Sequence, residues 1–154
     1  MTTKEIRTEL KKKGYNNNQV SVREKRGGYD RSFVLTVRDR AVNIQEVKEI
    51  AKSFESVSRC ERSYEVLSGG NCWVSVEMSE KVQKELAEKY LWLLECVKEL
   101  EVDSSVRIGR FDIYMNYNNH YQVYDLQTER FFKNQYYYGG LEYMAIDMAI
   151  AEQN

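Results

Sequence analysis

The feature of this sequence that most limits its possible folds is a pair of short runs of alternating apolar residues. The runs are Val20 to Arg23 and Phe33 to Arg38, and a glycine pair lies between them. Alternation with a period of two is typical of strands that bury one face. The segment between the runs, EKRGGYDRS, exceeds the length of a two-residue hairpin loop, so we expect a longer loop there that is mobile or functional. The chain contains no proline, and its turns must therefore rely on Gly and Asn.

Helical patterns alternate with these strand-like runs. Thr2 and Glu5 have the spacing of a capping box at the start of a first helix. Asn43 and Glu46 repeat that spacing before a second helix, and the longest apolar stripe predicts a third helix over residues 80–101. The helices are therefore expected to be separated by strands rather than clustered at one end of the chain.

Later segments predict further hairpins. SYEVLSGGNCWVSVEM predicts one with its turn at residues 68–71, and RFDIYMNYNNHYQVYDL predicts another around an Asn-rich turn. A short strand at residues 130–132 and a final helix from Leu141 follow. This order predicts an α+β fold, with a mainly antiparallel sheet built from consecutive hairpins and about four helices packed against it. We expect a single compact domain over residues 1–154, with residues 102–109 as the best candidate for a seam.

Composition indicates a folded, soluble protein. The chain has 154 residues, of which 42% are hydrophobic, enough to bury a core. No run has the character of a signal peptide or of a membrane span. Its three cysteines lack CxxC spacing and there is one histidine, so we expect a cytoplasmic protein with free thiols, no metal and no cofactor.

Charge is unevenly distributed. Residues 1–40 have eleven Lys and Arg against five Asp and Glu, a net of +6, whereas the remainder has twelve against nineteen, a net of −7. Basic side chains crowd the first pair of strands and would supply sequence-independent contacts to phosphates, with a binding that falls as salt is added. The alternative is a solvated face that Glu24, Asp30 and Asp39 partly neutralise. The candidate nucleic-acid-binding or partner-binding residues are Arg23, Lys25, Arg26, Tyr29, Arg31 and Arg38.

Tyrosines are concentrated in the last third of the chain. Tyrosine is enriched at protein interfaces because it buries a large area and keeps a polar tip. The alternative is that these rings pack within the sheet and the core. The candidate protein-interface residues are Tyr114, Tyr117, Tyr121, Tyr124, Tyr136, Tyr137 and Tyr138.

No catalytic motif is present. The glycine pairs match neither a phosphate-binding loop nor a dinucleotide fingerprint and are better explained as turns. His120 lies in an Asn-rich turn with no nucleophile near it in sequence. Acidic pairs such as Asp112 and Asp125, on neighbouring predicted strands, could bind a divalent cation as in a metal-dependent nuclease, but two isolated carboxylates are weak evidence. The sequence therefore favours a protein that is not an enzyme.

The pattern VSVR…RGG…SFVLTV, followed by VNIQEVKEIAKSFESVSRCERSYEVLSGGN, resembles a known family. It is similar to the large polyvalent protein-associated domain, the twenty-ninth of that series, over about residues 1 to 78. Such domains occur in proteins of phages, plasmids and integrative conjugative elements. The resemblance implies no catalytic residue, and it implies a small protein of a mobile element that acts in the cytoplasm of a bacterial host.

Small proteins of such elements are often antagonists of host defence. By that analogy we expect an accessory protein that binds and inhibits a bacterial defence or nucleic-acid-processing machine, specifically an anti-CRISPR-like inhibitor of a Cas effector. The alternative is a direct nucleic-acid-binding module that accompanies transferred DNA, and the third hypothesis is a metal-dependent nuclease. The expected partner is a bacterial effector protein or ribonucleoprotein, with DNA or RNA as further candidates, no membrane, and a homodimer left open.

Overall fold

The computed structural model describes residues 2–27, 30–67, 69–116, 118, 120–132, 137 and 140–153. These residues form four α-helices, one 3₁₀ helix and seven β-strands, and the strands make two sheets of three and four strands. The predicted α+β class with mainly antiparallel pairing is confirmed. The chain divides into two compact units, residues 1–83 with 153–154 and residues 84–152. The single domain expected from the sequence stays a prediction.

The first unit is built on a three-stranded sheet. Its elements are α1 (Thr3–Lys12), β1 (Val20–Gly27), β2 (Asp30–Val37), α2 (Ile44–Ser53), β3 (Cys72–Met78) and the start of α3 (Glu80–Leu91). β1 and β2 are antiparallel, whereas β2 and β3 are parallel and are joined through α2. One face of this sheet is buried together with apolar side chains of α1 and α2. The buried strand residues of this helix-packed face are Val20, Val22, Phe33, Leu35, Val37, Cys72 and Val74.

The first two helices begin where the sequence predicts. The Thr2 backbone N–H donates to the Glu5 carboxylate at 2.7 Å, and the Glu5 N–H donates to the Thr2 hydroxyl at 3.4 Å. The Asn43 side chain accepts a hydrogen bond from the Glu46 N–H at 3.2 Å and so caps α2. The Glu46 carboxylate does not complete a second capping box, because it accepts a hydrogen bond from the Tyr15 hydroxyl instead.

The prediction of a long loop at EKRGGYDRS is wrong. The β1–β2 ladder continues to the pair Gly27 and Asp30, so only residues 28 and 29, which lie outside the described residues, separate the two strands. Glu24 and Arg31 form an ion pair across the ladder, with 2.7 Å between Oε1 and Nη2. Charged residues that pair across strands extend a ladder without the apolar alternation by which strands are recognised in a sequence.

The hairpin predicted over residues 63–78 is wrong in its pairing. β3 runs parallel to β2 and does not pair with the residues that precede its turn. Those residues fold back on an earlier segment instead, with a bridge between Arg59 and Val66. Residues 58–67 therefore form a folded-back arm between α2 and β3, outside the three strands of the sheet.

Asn71 anchors the base of this arm. Its side chain is 1% exposed; it accepts a hydrogen bond from the Ser58 N–H at 2.8 Å and donates one to the Leu67 carbonyl at 2.7 Å. Its amide also donates to both carboxylate oxygens of Asp30 at 3.3 Å. Because the donors and the acceptor of this buried amide are all engaged, Asn71 links both ends of the arm, Ser58 and Leu67, to Asp30 at the start of β2.

The second unit is an antiparallel meander with a final helix. Its elements are the end of α3, the 3₁₀ helix (Leu93–Glu99), β4 (Ser105–Ile108), β5 (Phe111–Met115), β6 (Tyr121–Asp125), β7 (Arg130–Phe131) and α4 (Leu141–Ala151). The strands lie in chain order, and alternate residues are buried along β5 and β6. None of the helices in the described part of the chain combines the length and the apolar character that crossing a membrane requires.

The helix predicted over residues 80–101 is shorter than expected. The α-helix ends at Leu91, and residues 93–99 wind as a 3₁₀ helix. Leu94 and Val97 are fully buried there, three residues apart. A 3₁₀ helix has three residues per turn, so this spacing places both side chains on one face.

A buried ion pair joins the sheet of the second unit to the end of α4. Arg110 Nη2 lies 2.8 Å from Asp125 Oδ2 and 2.8 Å from the Ala151 carbonyl oxygen. The Asp125 side chain is 3% exposed, and the guanidinium lies 5.2 Å from the centroid of the Phe111 ring. The arginine also meets the negative end of the α4 dipole. One cation thus compensates a buried carboxylate and a helix terminus at once.

We expect Arg110→Met to lower the free energy of unfolding by about 3–5 kcal/mol, because it leaves the Asp125 carboxylate buried without a counter-charge. The measurement is urea denaturation. Lys98→Met is the matched control, since Lys98 pairs with Glu95 at 2.8 Å on the solvent-exposed surface, and it should leave the stability nearly unchanged. Equal losses in the two variants would contradict this account of the second unit.

Candidate binding surfaces on the two sheets

One face of the first sheet turns away from α1 and α2, and we call it the open face. Arg23, Lys25, Ser75 and Glu77 are exposed on it, whereas Val34 at its centre is buried. The strand register aligns its residues in three rows across the sheet, namely Lys25–Ser32–Trp73, Arg23–Val34–Ser75 and Ser21–Thr36–Glu77.

The structure brings together part of the basic group that the sequence singled out. Arg23 and Lys25 are neighbours on the open face, and Arg38 is exposed directly after β2. Within the described residues, none of these three cations has an ion-pair partner. Unpaired cations on one polar sheet face are available for an external anion.

Arg31 lies apart from that group. It shares the opposite face with Phe33, pairs with Glu24, and holds its guanidinium carbon 5.3 Å from the centroid of the Phe33 ring. The side chain of Arg26 and the whole of Tyr29 lie outside what the structure describes. The open face therefore contains fewer of the predicted cations than the sequence indicated.

Trp73 is a residue that our sequence reasoning missed. It is half-buried on the open face, and its indole N–H donates to Asp30 Oδ2 at 3.4 Å. Burial alone would raise the pKa of Asp30, but hydrogen bonds from Asn71 and then from Trp73 hold that pKa below its usual value. Its position between core residues Cys72 and Val74 was the available signal, because alternation turns it to the other face.

The outward side of the second sheet has an aromatic cluster, and we call it the aromatic face. The Tyr124 and Phe131 rings meet edge to face with centroids 4.9 Å apart, and Tyr114 lies 6.1 Å from Phe131. Phe131 is 51% exposed and Tyr114 is 37% exposed. Two of the tyrosines predicted at an interface thus lie together on the surface, joined by a phenylalanine.

A bidentate ion pair borders this aromatic face. Arg107 Nε lies 2.7 Å from Asp112 Oδ1, and its Nη2 lies 2.9 Å from Oδ2. The hydrogen bond from Arg107 is the main reason that the pKa of Asp112 lies below its usual value. Asp112 is paired with Tyr124 in the strand register, so the ion pair and the rings share one surface.

Other predicted interface tyrosines lie in the core or outside the described chain. Tyr121 and Tyr137 are 8% and 5% exposed. The Tyr137 hydroxyl donates to Asp147 at 2.7 Å, and burial followed by this hydrogen bond raises the pKa of Tyr137. Tyr117, Tyr136 and Tyr138 lie outside the described residues.

The residues considered for catalysis do not come together. Asp112 and Asp125 project from opposite faces of the second sheet, and each is paired with its own arginine, Arg107 and Arg110 respectively. The His120 backbone N–H is bonded within the predicted Asn-rich turn. In the part of the chain that the structure describes, no group of three or more His, Cys, Asp or Glu side chains is placed to hold a metal ion.

Comparisons with protein-family models, with curated proteins and with solved structures found no match to this chain. The chemistry of the two surfaces is therefore the basis for inferring function. One presents cations and a tryptophan, and the other presents rings beside a fixed ion pair.

We expect Arg107→Gln to raise the pKa of Asp112 towards its ordinary value, because the mutation removes the charged donor that favours the carboxylate. Carbon-detected NMR titration of the side-chain carboxylates measures this. Since folding lowers the pKa of Asp112, its ion pair with Arg107 stabilises the folded state at neutral pH, and this contribution is lost as the pH falls through that pKa. Arg130→Gln, an exposed arginine of the same sheet, is the control and should leave Asp112 unchanged. An unaltered Asp112 pKa in Arg107→Gln would disprove the assignment.

Proposed function

We propose that this chain is a non-enzymatic accessory protein of a phage or mobile element that binds a bacterial defence or nucleic-acid-processing machine and inhibits it. Its specific form is an anti-CRISPR-like inhibitor of a Cas effector. The resemblance over about residues 1 to 78 supports the mobile-element origin. The observation that carries the binding role is the aromatic face of the second sheet.

The composition of the aromatic face is that of a protein-binding hot spot. Exposed Phe131 and Tyr114, in contact through their rings, bury a large area at little conformational cost when a partner covers them. The bidentate Arg107–Asp112 pair beside them is already ordered, so covering it orders no further long side chain. An apolar centre with a polar edge is the arrangement found in stable interfaces.

Two surfaces of different chemistry suit a partner that contains both protein and nucleic acid. The rings of the second unit are suited to a protein surface, and the cations of the first unit are suited to phosphates. A guide-loaded Cas effector offers both chemistries in one particle. This is the reason to place an effector ribonucleoprotein ahead of a protein without nucleic acid.

Direct nucleic-acid binding is the second candidate function. The observation that favours it is the exposure of Arg23, Lys25 and Arg38, none of which has an ion-pair partner among the described residues. Such cations contribute a sequence-independent affinity that falls as salt is added. This function needs no effector protein.

The test of the leading proposal is plasmid cleavage by a panel of purified, guide-loaded Cas effectors in the presence of the wild-type chain. We expect inhibition of one effector, and we expect Tyr114→Ala with Phe131→Ala to weaken binding to that effector by about tenfold or more, because hot-spot rings are removed. Binding is measured by interferometry on the immobilised effector.

Tyr143→Ala is the matched control, since Tyr143 is 70% exposed on α4 and lies outside the aromatic face. It should inhibit as the wild type does. Cleavage that continues unaffected with every effector would refute the inhibitor proposal. Inhibition that survives the double substitution would instead show that the aromatic face is not the contact.

A further inference from the structure

We infer that the open face of the first sheet binds single-stranded nucleic acid, with a base stacked on Trp73 and the backbone phosphates held by Lys25 and Arg23. This inference rests on the proposed nucleic-acid contact and names its ligand class and its stacking residue. The arrangement that carries it is one tryptophan and two cations on the same sheet face, and neither cation has an ion-pair partner among the residues that the structure describes.

Trp73 is a large aromatic residue on a polar face. It alternates with core residues along β3, and the next outward positions of that strand are Ser75 and Glu77. It is half-buried, so part of the indole surface remains accessible, and its N–H is held by Asp30. A ring fixed through its edge while part of its surface is accessible provides a stacking platform, which is worth about 1–3 kcal/mol per base in proteins that bind single strands.

The cations lie at the right spacing from this platform. Lys25 and Trp73 belong to the same row, two strands apart, which corresponds to about 10 Å between their backbones. Arg23 stands in the next row, about 7 Å along β1. Long basic side chains therefore reach phosphates on either side of a base that is stacked on the indole, while Ser32 lies between them.

Two strand residues of this face, Asp30 and Glu77, carry carboxylates. Asp30 keeps its charge, but its oxygens accept hydrogen bonds from the Asn71 backbone N–H at 3.1 Å, from the Asn71 amide and from the Trp73 indole. Glu77 stands in the row farthest from Trp73, beside Ser21 and Thr36. Lys25 and Trp73 thus share one row, Arg23 stands in the next row, and the exposed Glu77 lies in the row beyond that.

A single strand fits this face better than a duplex. A duplex keeps its bases stacked on one another and offers only phosphates to a sheet, whereas a single strand can place an unstacked base on an aromatic ring. Phosphate contacts alone would not use the tryptophan. The chemistry shared by DNA and RNA strands, a base beside a phosphodiester, is what the face recognises.

The experiment uses the full chain with Trp92→Phe, which leaves Trp73 as the one tryptophan because the sequence contains two. Oligothymidylate or oligouridylate of about 12 nucleotides, within the site sizes of known single-strand binders, should quench its fluorescence. Either sugar supports the inference. A duplex of the same length should bind at least about tenfold more weakly.

Substitutions are measured with fluorescein-labelled strands. Trp73→Leu should weaken single-strand binding by about tenfold, whereas Trp73→Phe should stay within about threefold because it keeps a ring to stack on. Arg23→Gln should reduce the dependence of log Kd on log salt concentration by about 0.7, the effect of one lost phosphate contact. Urea denaturation of each variant excludes unfolding as the cause of a loss.

Failure of this inference is distinguishable from failure of the proposed function. Equal binding of duplex and single strand, or wild-type affinity in Trp73→Leu, would overturn the stacking assignment while the phosphate contact remains. Absence of any binding at low salt would overturn the assignment of the open face to nucleic acid. Effector inhibition by the wild-type chain, and the weaker effector binding expected of Tyr114→Ala with Phe131→Ala, are measured in separate assays that contain no free oligonucleotide ligand.

Discussion

The proposed functional face depends on the register of the three strands of the first sheet, because the register decides which side chains face the helices and which face away from them. β2 aligns with both neighbours so that Leu35, which is fully buried, lies beside Val22 and Val76 on the helix-packed side. A slip of β3 by one residue would turn Trp73 into the core and Val74 into solvent. The Asn71 carbonyl, which accepts from the Arg31 N–H at 2.9 Å, holds β3 in this register at its start.

In the second unit, too, strand alternation decides which side chains are exposed, and a buried ion pair holds the sheet in place. Burial of alternate residues along β5 and β6 directs Tyr114 and Tyr124 outward, while Tyr121 is directed inward to the core. The Arg110–Asp125 pair then connects the end of that sheet to the carbonyl end of α4. Each unit thus has one face that stabilises it and one face whose side chains are available to a partner, and the proposed function uses only the available faces.

Sequence patterns predicted the features that depend on neighbouring residues, such as helix caps, and failed for strand pairings that depend on residues far apart in the sequence. The caps at Thr2 and Asn43 were predictable because a cap is satisfied within a few residues. The parallel pairing of β3 was not, because it joins residues that are far apart in the sequence, such as Phe33 and Val74, and the Asn71–Asp30 hydrogen bond beside it likewise spans 41 residues. The face of Trp73, by contrast, was predictable from its alternation with buried Cys72 and Val74. The separation of Arg31 from the other cations was not predictable, because its partner Glu24 lies across a ladder where the sequence pattern predicts a loop.

The central claim is that exposed sheet faces, rather than a catalytic pocket, perform the function. Hydroxyl-radical footprinting with mass spectrometry tests it directly, because it reports the exposure of individual aromatic side chains with and without a guide-loaded Cas effector. We predict that Trp73, Tyr114 and Phe131 become protected in the complex. Trp92 and Tyr143, each 70% exposed and outside both faces, should stay reactive. Protection of Trp92 and Tyr143, with unchanged reactivity at the two faces, would contradict the account.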